Sequence, residues 1–186
     1  MIGALVAGQV GSGGASLSSF ESIATTAGTG SSNTITFSSI PSGFKHLQLR
    51  GYTYGSGGGA SNARITFNGD TGSNYASHYL LGDGASASAS GAASQTFAWY
   101  SVYASSAGST NGIPVTIVDI LDYGSTSKYK TIRVLSGYDN NGSGRIYVYS
   151  GLYMSTSAIT SFDLKNEDGS NWSTNTRYAL YGIKEA

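Results

Sequence analysis

The sequence has no cysteine and only two prolines among its 186 residues. The first absence removes disulfides, zinc–thiolate sites and thiol chemistry together. Charge is also scarce: ten basic residues balance ten acidic ones, for a formal net charge of zero. Attraction to nucleic acid or to an anionic lipid surface needs a basic surplus or patch, so neither is expected as a partner. No segment reaches the roughly 20 apolar residues that cross a bilayer, and membrane insertion is not expected. Leu, Ile, Val and Phe together supply only 36 residues, a share that by itself would suggest disorder.

What is abundant argues for a folded chain. Gly, Ser and Thr sum to 76 residues, while 14 Tyr and 2 Trp raise the large apolar total to 52. With no net charge to keep it expanded, such a chain can build a core. The small polar residues then fall in turns, loops and solvent-facing strand positions. The length points to one domain with an appended terminal segment.

Periodicity identifies the elements. Apolar residues alternate with a period of two over and over, and no 3.6-residue pattern is sustained. His46-Leu47-Gln48-Leu49-Arg50 places Leu47 and Leu49 on one face, as in a half-buried strand. Lys130-Thr131-Ile132-Arg133-Val134 and Arg145-Ile146-Tyr147-Val148-Tyr149 alternate in the same way. Ile113-Pro114-Val115-Thr116-Ile117-Val118-Asp119-Ile120-Leu121 is apolar on both faces and reads as a central strand, with Pro114 tolerable only near its start. Candidate strands cover residues 18–24, 34–37, 44–54, 63–67, 75–81, 97–103, 115–121, 131–135, 146–153, 159–164 and 178–184. Between them lie turn signals such as Asn68-Gly69-Asp70, Gly82-Asp83-Gly84 and Asp139-Asn140-Asn141-Gly142. Short strands with closely spaced turns predict an all-β fold, an antiparallel β-sandwich of jelly-roll type. The alternating Ala/Ser stretch 85–94 is expected to be an exposed loop.

The opening segment is different. Met1, Ile2, Leu5, Val6 and Val10 make it apolar, yet no Lys or Arg occurs before Lys45, so the basic region of a secretory signal is missing. Residues 1–17 are expected to form an attachment arm with a Gly/Ser hinge, leaving 18–186 as a single sandwich domain. Burying the five side chains would yield roughly 1.5–3 kcal/mol each, about 7–15 in all. Fixing ten backbones costs about 10–20 kcal/mol. An arm acting alone would barely hold, so docking on a partner through strand hydrogen bonds, or several arms acting together, is the expected mode.

Catalytic constellations are weak. Asp70-Thr71-Gly72-Ser73 matches the short aspartic-protease motif, but that chemistry needs a second carboxylate and an apolar strand before the Asp. Asn68-Gly69 precedes it here, and a surface turn fits better. His46 and His78 have no nucleophile elbow to serve and read as structural histidines. Asp139-Asn140-Asn141-Gly142 lacks the alternating spacing of a calcium loop. Asp163, Glu167 and Asp168 are read as a solvated hairpin, and no geometry follows from the spacing of Asp119 and Asp122. Gly55-Ser56-Gly57-Gly58-Gly59 has no Lys after it to complete a phosphate cradle. No catalytic residue, cofactor or metal is expected, and the chain reads as a non-enzyme.

The tyrosines carry more promise. Packing within the sheets ranks first for them, subunit interfaces second and stacking on sugars third. Tyr147, Tyr149 and Tyr153 are the candidates for interface or glycan contact.

Several segments, as a set, resemble a recurrent module of tailed bacteriophages. They are Ser19-Phe20-Glu21-Ser22-Ile23-Ala24, Ile35-Thr36-Phe37-Ser38-Ser39-Ile40-Pro41, Lys45-His46-Leu47-Gln48-Leu49-Arg50, Phe67-Asn68-Gly69-Asp70-Thr71-Gly72-Ser73-Asn74-Tyr75, Tyr129-Lys130-Thr131-Ile132-Arg133 and Ala179-Leu180-Tyr181-Gly182-Ile183. The chain is similar over about 18–184 to a family of small virion structural proteins. That resemblance implies a tail-fibre-like or otherwise exposed particle protein, made in the host cytoplasm, and it brings no catalytic residues. The expected assembly is a homotrimer on the particle exterior. Its arm would contact other virion proteins and its loops a host surface glycan, with a capsid decoration protein as the alternative.

Overall fold

The computed structural model describes residues 19–57, 61–105, 112–139 and 141–184. The attachment arm, with Met1, Ile2, Leu5, Val6 and Val10, lies outside the described residues.

Thirteen strands and no helix occur among the described residues, arranged as two facing sheets. The larger sheet has eight strands in the order β1 (Phe20–Ala27), β13 (Arg177–Ile183), β3 (His46–Tyr52), β9 (Val115–Leu121), β10 (Lys130–Asp139), β11 (Gly144–Tyr153), β6 (Tyr75–Gly82) and β7 (Ala87–Gln95). All its pairings are antiparallel. The smaller sheet runs β2 (Thr34–Phe37), β12 (Phe162–Asn166), β5 (Ser61–Phe67) and β8 (Ala98–Ser105), with the two-residue β4 (Tyr54–Gly55) added in parallel to β8. The fold is therefore an antiparallel β-sandwich. An eight-stranded jelly roll is a narrower description than this strand order supports.

The core lies between the sheets. Leu47, Leu49, Val118, Ile120, Ile132, Val134 and Leu180 project from the larger sheet, and Ile35, Phe37, Ile65, Phe67, Phe162 and Leu164 from the smaller; all are buried. At one end Phe67, Tyr153 and Tyr75 stack in series, with ring centroids 5.3 and 4.9 Å apart. Such ring contacts add to the burial of each side chain. Elsewhere the hydroxyls of Tyr100 on β8 and Tyr178 on β13 meet at 2.7 Å, a polar tie between the two sheets. Burial pushes both hydroxyls well above the ordinary tyrosine range.

Two expectations about local structure need correction. The Ala/Ser stretch is not a loop: Ala87–Gln95 pairs along β6 as the edge strand β7. Its alternation is genuine but built from small residues, with Ala87, Ala89 and Gly91 facing one way and Ser88 and Ser90 the other. A sheet edge needs little from its side chains because the ladder bonds to β6 hold it. Likewise β3 ends at Tyr52, and Tyr54 belongs to the separate β4.

The third correction concerns facing. In β11 the tyrosines point inward: Tyr147, Tyr149 and Tyr153 retain 5, 1 and 2% of their exposure. Ile146 and Val148 point outward. The inner surface under β11 meets β6 and β8, where large rings fill the gap between the sheets; Tyr147 and Tyr149 stack at 5.2 Å, with Tyr79 against both. Buried as they are, these three tyrosines are not contact residues for a glycan or another subunit.

Candidate functional site

Most of the groups singled out for chemistry are engaged in local hydrogen bonds or ion pairs. Asp70 closes a turn: its carboxylate accepts the Gly72 N–H at 2.8 Å and the Asn74 side-chain amide at 2.9 Å. These bonds hold the carboxyl below its ordinary range, the Asn74 contact most strongly. Tyr75 Oη then donates to the Asp70 carbonyl and accepts the Phe67 N–H, tying the turn to the strands it joins. Both carboxylate oxygens are thus engaged, by Gly72 and Asn74.

His46 lies on the outer face of β3, where its Nδ1 accepts the Asp122 N–H at 2.9 Å. A nitrogen that accepts from the backbone cannot at the same time donate to a carboxylate as a triad histidine must. His78 sits exposed on β6 with its ring over Gly91, where a Cβ would come within 2.3 Å of His78 Cδ2.

The acidic residues are separated. Asp163 accepts from Thr36 Oγ1 and lies 3.8 Å from Lys165 Nζ. Glu167 accepts from the Trp99 indole, and Asp168 from the Ser170 N–H. Asp119 holds Gln48 and Arg133, whereas Asp122 faces Lys45 at 3.6 Å. Among the described residues no group of three or more His, Asp or Glu side chains could hold a metal ion. No helix among the described residues is long and apolar enough to cross a membrane.

The unusual surface is the outer face of the eight-stranded sheet. Register places Arg50, Ile117, Leu135, Val148, Leu80 and Ala89 in one continuous row across β3, β9, β10, β11, β6 and β7. The adjoining row is Tyr52, Val115, Gly137, Ile146, Gly82 and Ala87. Leu80, Val115, Leu135, Ile146 and Val148 are each about half exposed, between 48 and 57%. Single exposed apolar residues are ordinary, but these five with Ile117 form a contiguous apolar patch, a feature uncommon on a surface that faces only water.

The patch has relief. Gly137 and Gly82 leave low points beside the ridge, and Ile113, Val115, Ile117, Leu135 and Ile146 wall a groove of about 810 Å³ over them. On the far side of the ridge runs a polar row, Tyr181, Gln48, Asp119, Arg133, Ser150 and His78. There Asp119 accepts from Gln48 Nε2 at 2.7 Å and from Arg133 Nη2 at 2.9 Å.

This surface escaped sequence reading because alternation assigns two faces without saying which is inward. The usable signal was size on both parities. In Ile146-Tyr147-Val148-Tyr149 neither parity is polar, so alternation alone does not say which side is buried.

No known family model matches the chain, and no curated protein matches it in sequence.

Proposed function

We propose that this chain is a non-enzymatic structural protein of a tailed-bacteriophage particle, carried on the exterior as a tail-associated fibre or host-surface adhesin module. The observation that supports it is the apolar outer face of the large sheet. A soluble enzyme or a free lectin gains nothing from half-exposed Leu80, Leu135, Ile146 and Val148, whereas a subunit covered by neighbours does. The sequence resemblance over 18–184 supplies the particle. Partners are then further copies of the chain and other virion proteins reached through Met1, Ile2, Leu5, Val6 and Val10, with no role for nucleic acid or membrane insertion. With Tyr147, Tyr149 and Tyr153 buried, any glycan contact falls to exposed rings such as Tyr129.

A second reading, a capsid decoration protein, is favoured by the breadth of the same face, which suits a flat seat on a shell. Gold-labelled antibody against the chain on intact particles of the phage that encodes it separates the two. Label at the tail supports the first reading and label over the capsid the second. Particles that carry no label contradict both.

A further inference from the structure

We propose that the outer face of the eight-stranded sheet is a contact between two copies of this chain, packed face to face about a two-fold axis. The proposal rests on the assembly reading above and deepens it by naming the partner of this face.

Size is the first argument. Eight strands about 4.8 Å apart, each roughly seven residues long at about 3.3 Å per residue, make a face of roughly 800 Å². That is about what each partner contributes to a standard-size interface.

Shape is the second. The ridge Ile117, Leu135, Val148, Leu80 runs parallel to a row in which Gly137 and Gly82 are low points. A two-fold axis lying between the two rows and parallel to them sets each ridge over the other copy's low row. Position along the rows is preserved, so β10 lies across β10 and β6 across β6. Leu135 then faces Gly137 of the other copy and Leu80 faces its Gly82. Ile117 lies over Val115 and Val148 over Ile146 of the other copy, so ridge and glycine contacts alternate along the row, and each occurs twice, as an isologous contact requires. A three-fold ring would need two different complementary patches, so this geometry favours a dimer contact over the trimer expected from sequence.

Charge is the third. The same operation carries the polar row of one copy over the positions beyond Gly137 in the other, and Arg133 meets Asp139. Both are exposed on β10, six residues apart on one face.

The other candidate occupant is the apolar segment Met1–Val10. The backbone groups of a sheet face are already paired within the sheet. A short segment laid on it gains no strand hydrogen bonds to offset the entropy of fixing ten backbones. A second folded domain brings its side chains already ordered.

Because the chain has no cysteine, the contact can be read directly. In full-length Leu135→Cys the two thiols lie near the axis, and a short bismaleimide should give a covalent dimer. Thr66→Cys, on the outer side of the small sheet, should give none. Sedimentation of the unmodified chain should show a dimer. Leu135→Lys should weaken it at least tenfold, and Arg133→Asp should weaken it and be rescued by adding Asp139→Arg. A monomeric or trimeric chain, equal crosslinking at positions 66 and 135, or a charge swap without rescue would overturn the proposal. The crosslink decides even where the lysine variant fails to fold. A chain that is monomeric yet present on particles sinks this inference and leaves the assembly reading standing; a dimer absent from particles does the reverse.

Discussion

Leu135 of β10 lies directly opposite Val148 of β11, and both point away from the core with about half their surface exposed. Directly opposed apolar pairs stabilise a sheet, but on a solvent face the same effect is available from Thr or Tyr at less cost in solubility. Ile117 and Leu80 extend the pair on either side to a row of four. On the inner face of the same strands Val118, Ile120, Ile132, Val134, Tyr147 and Tyr149 are buried in the sandwich. Both faces of the sheet centre therefore carry large apolar side chains, and the described residues cover only the inner one.

Substituting that outer row should separate folding from association. Leu135→Thr and Val148→Thr keep strand-compatible side chains at exposed positions, and each should leave unfolding stability within about 0.5 kcal/mol. Self-association should nevertheless fall, as read by light scattering across a concentration series.

Two buried tyrosines should respond in opposite directions to loss of the hydroxyl. Tyr149 Oη has no hydrogen-bond partner among the described residues, so Tyr149→Phe should be neutral or stabilise by about 1 kcal/mol. Tyr178→Phe leaves Tyr100 Oη buried without its 2.7 Å partner and should cost about 1–3 kcal/mol. The double variant Tyr100→Phe/Tyr178→Phe should recover part of that loss. Urea unfolding of the four proteins measures the difference.

Alkaline pH should unfold the protein through the same pair. Burial raises both hydroxyls above their unfolded value, so the folded chain keeps protons that the unfolded chain releases. Their contribution is complete below about pH 10 and is lost as pH rises beyond it, by about 1.4 kcal/mol per pH unit for each tyrosine. Thermal unfolding followed from pH 8 to 11 should show a falling midpoint above pH 10. The drop should be smaller in the double phenylalanine variant.

Asp70 should behave as a turn residue. Its carboxyl is held low by Asn74 and Gly72, so its contribution is present above the ordinary carboxylate range and lost as pH falls through the depressed value. Asp70→Ala should cost about 1 kcal/mol, and Asp70→Asn, which can still accept from Gly72, should cost less. Denaturant midpoints at pH 7 test the order.

Lys130 is fully buried, and its ammonium donates to the carbonyls of Ser155 at 3.0 Å and Ser157 at 2.6 Å. It pins the chain where it leaves β11. Lys130→Met should cost about 1.5–3 kcal/mol, because both bonds are to a charged donor. Amide exchange around residues 155–159 should rise more than in the rest of the protein.

Much of the fold was legible in the residues. Leu47 and Leu49, or Ile132 and Val134, alternate with polar neighbours, and their inward facing follows from that contrast. The central place of β9 between β3 and β10 was foreshadowed by its apolar content on both faces. β7 was hidden because Ala, Ser and Gly have no strong preference, and its pairing is decided by the free edge of β6. The outward set was hidden for a different reason. Where Ile146 and Val148 alternate with Tyr147 and Tyr149, both parities are large and apolar. Only the space between the sheets, which rings fill better than branched aliphatics, determines that the tyrosines go in.

Hydroxyl-radical footprinting of the full chain at low and high concentration tests the covered-face claim most directly. Leu80, Leu135, Ile146 and Val148 are all half exposed in one copy and reactive enough to report. The expected result is that their labelling falls together as concentration rises, while labelling of exposed Tyr129 stays constant. Equal labelling of the four at every concentration would contradict the claim that this face is where the chain meets its own kind.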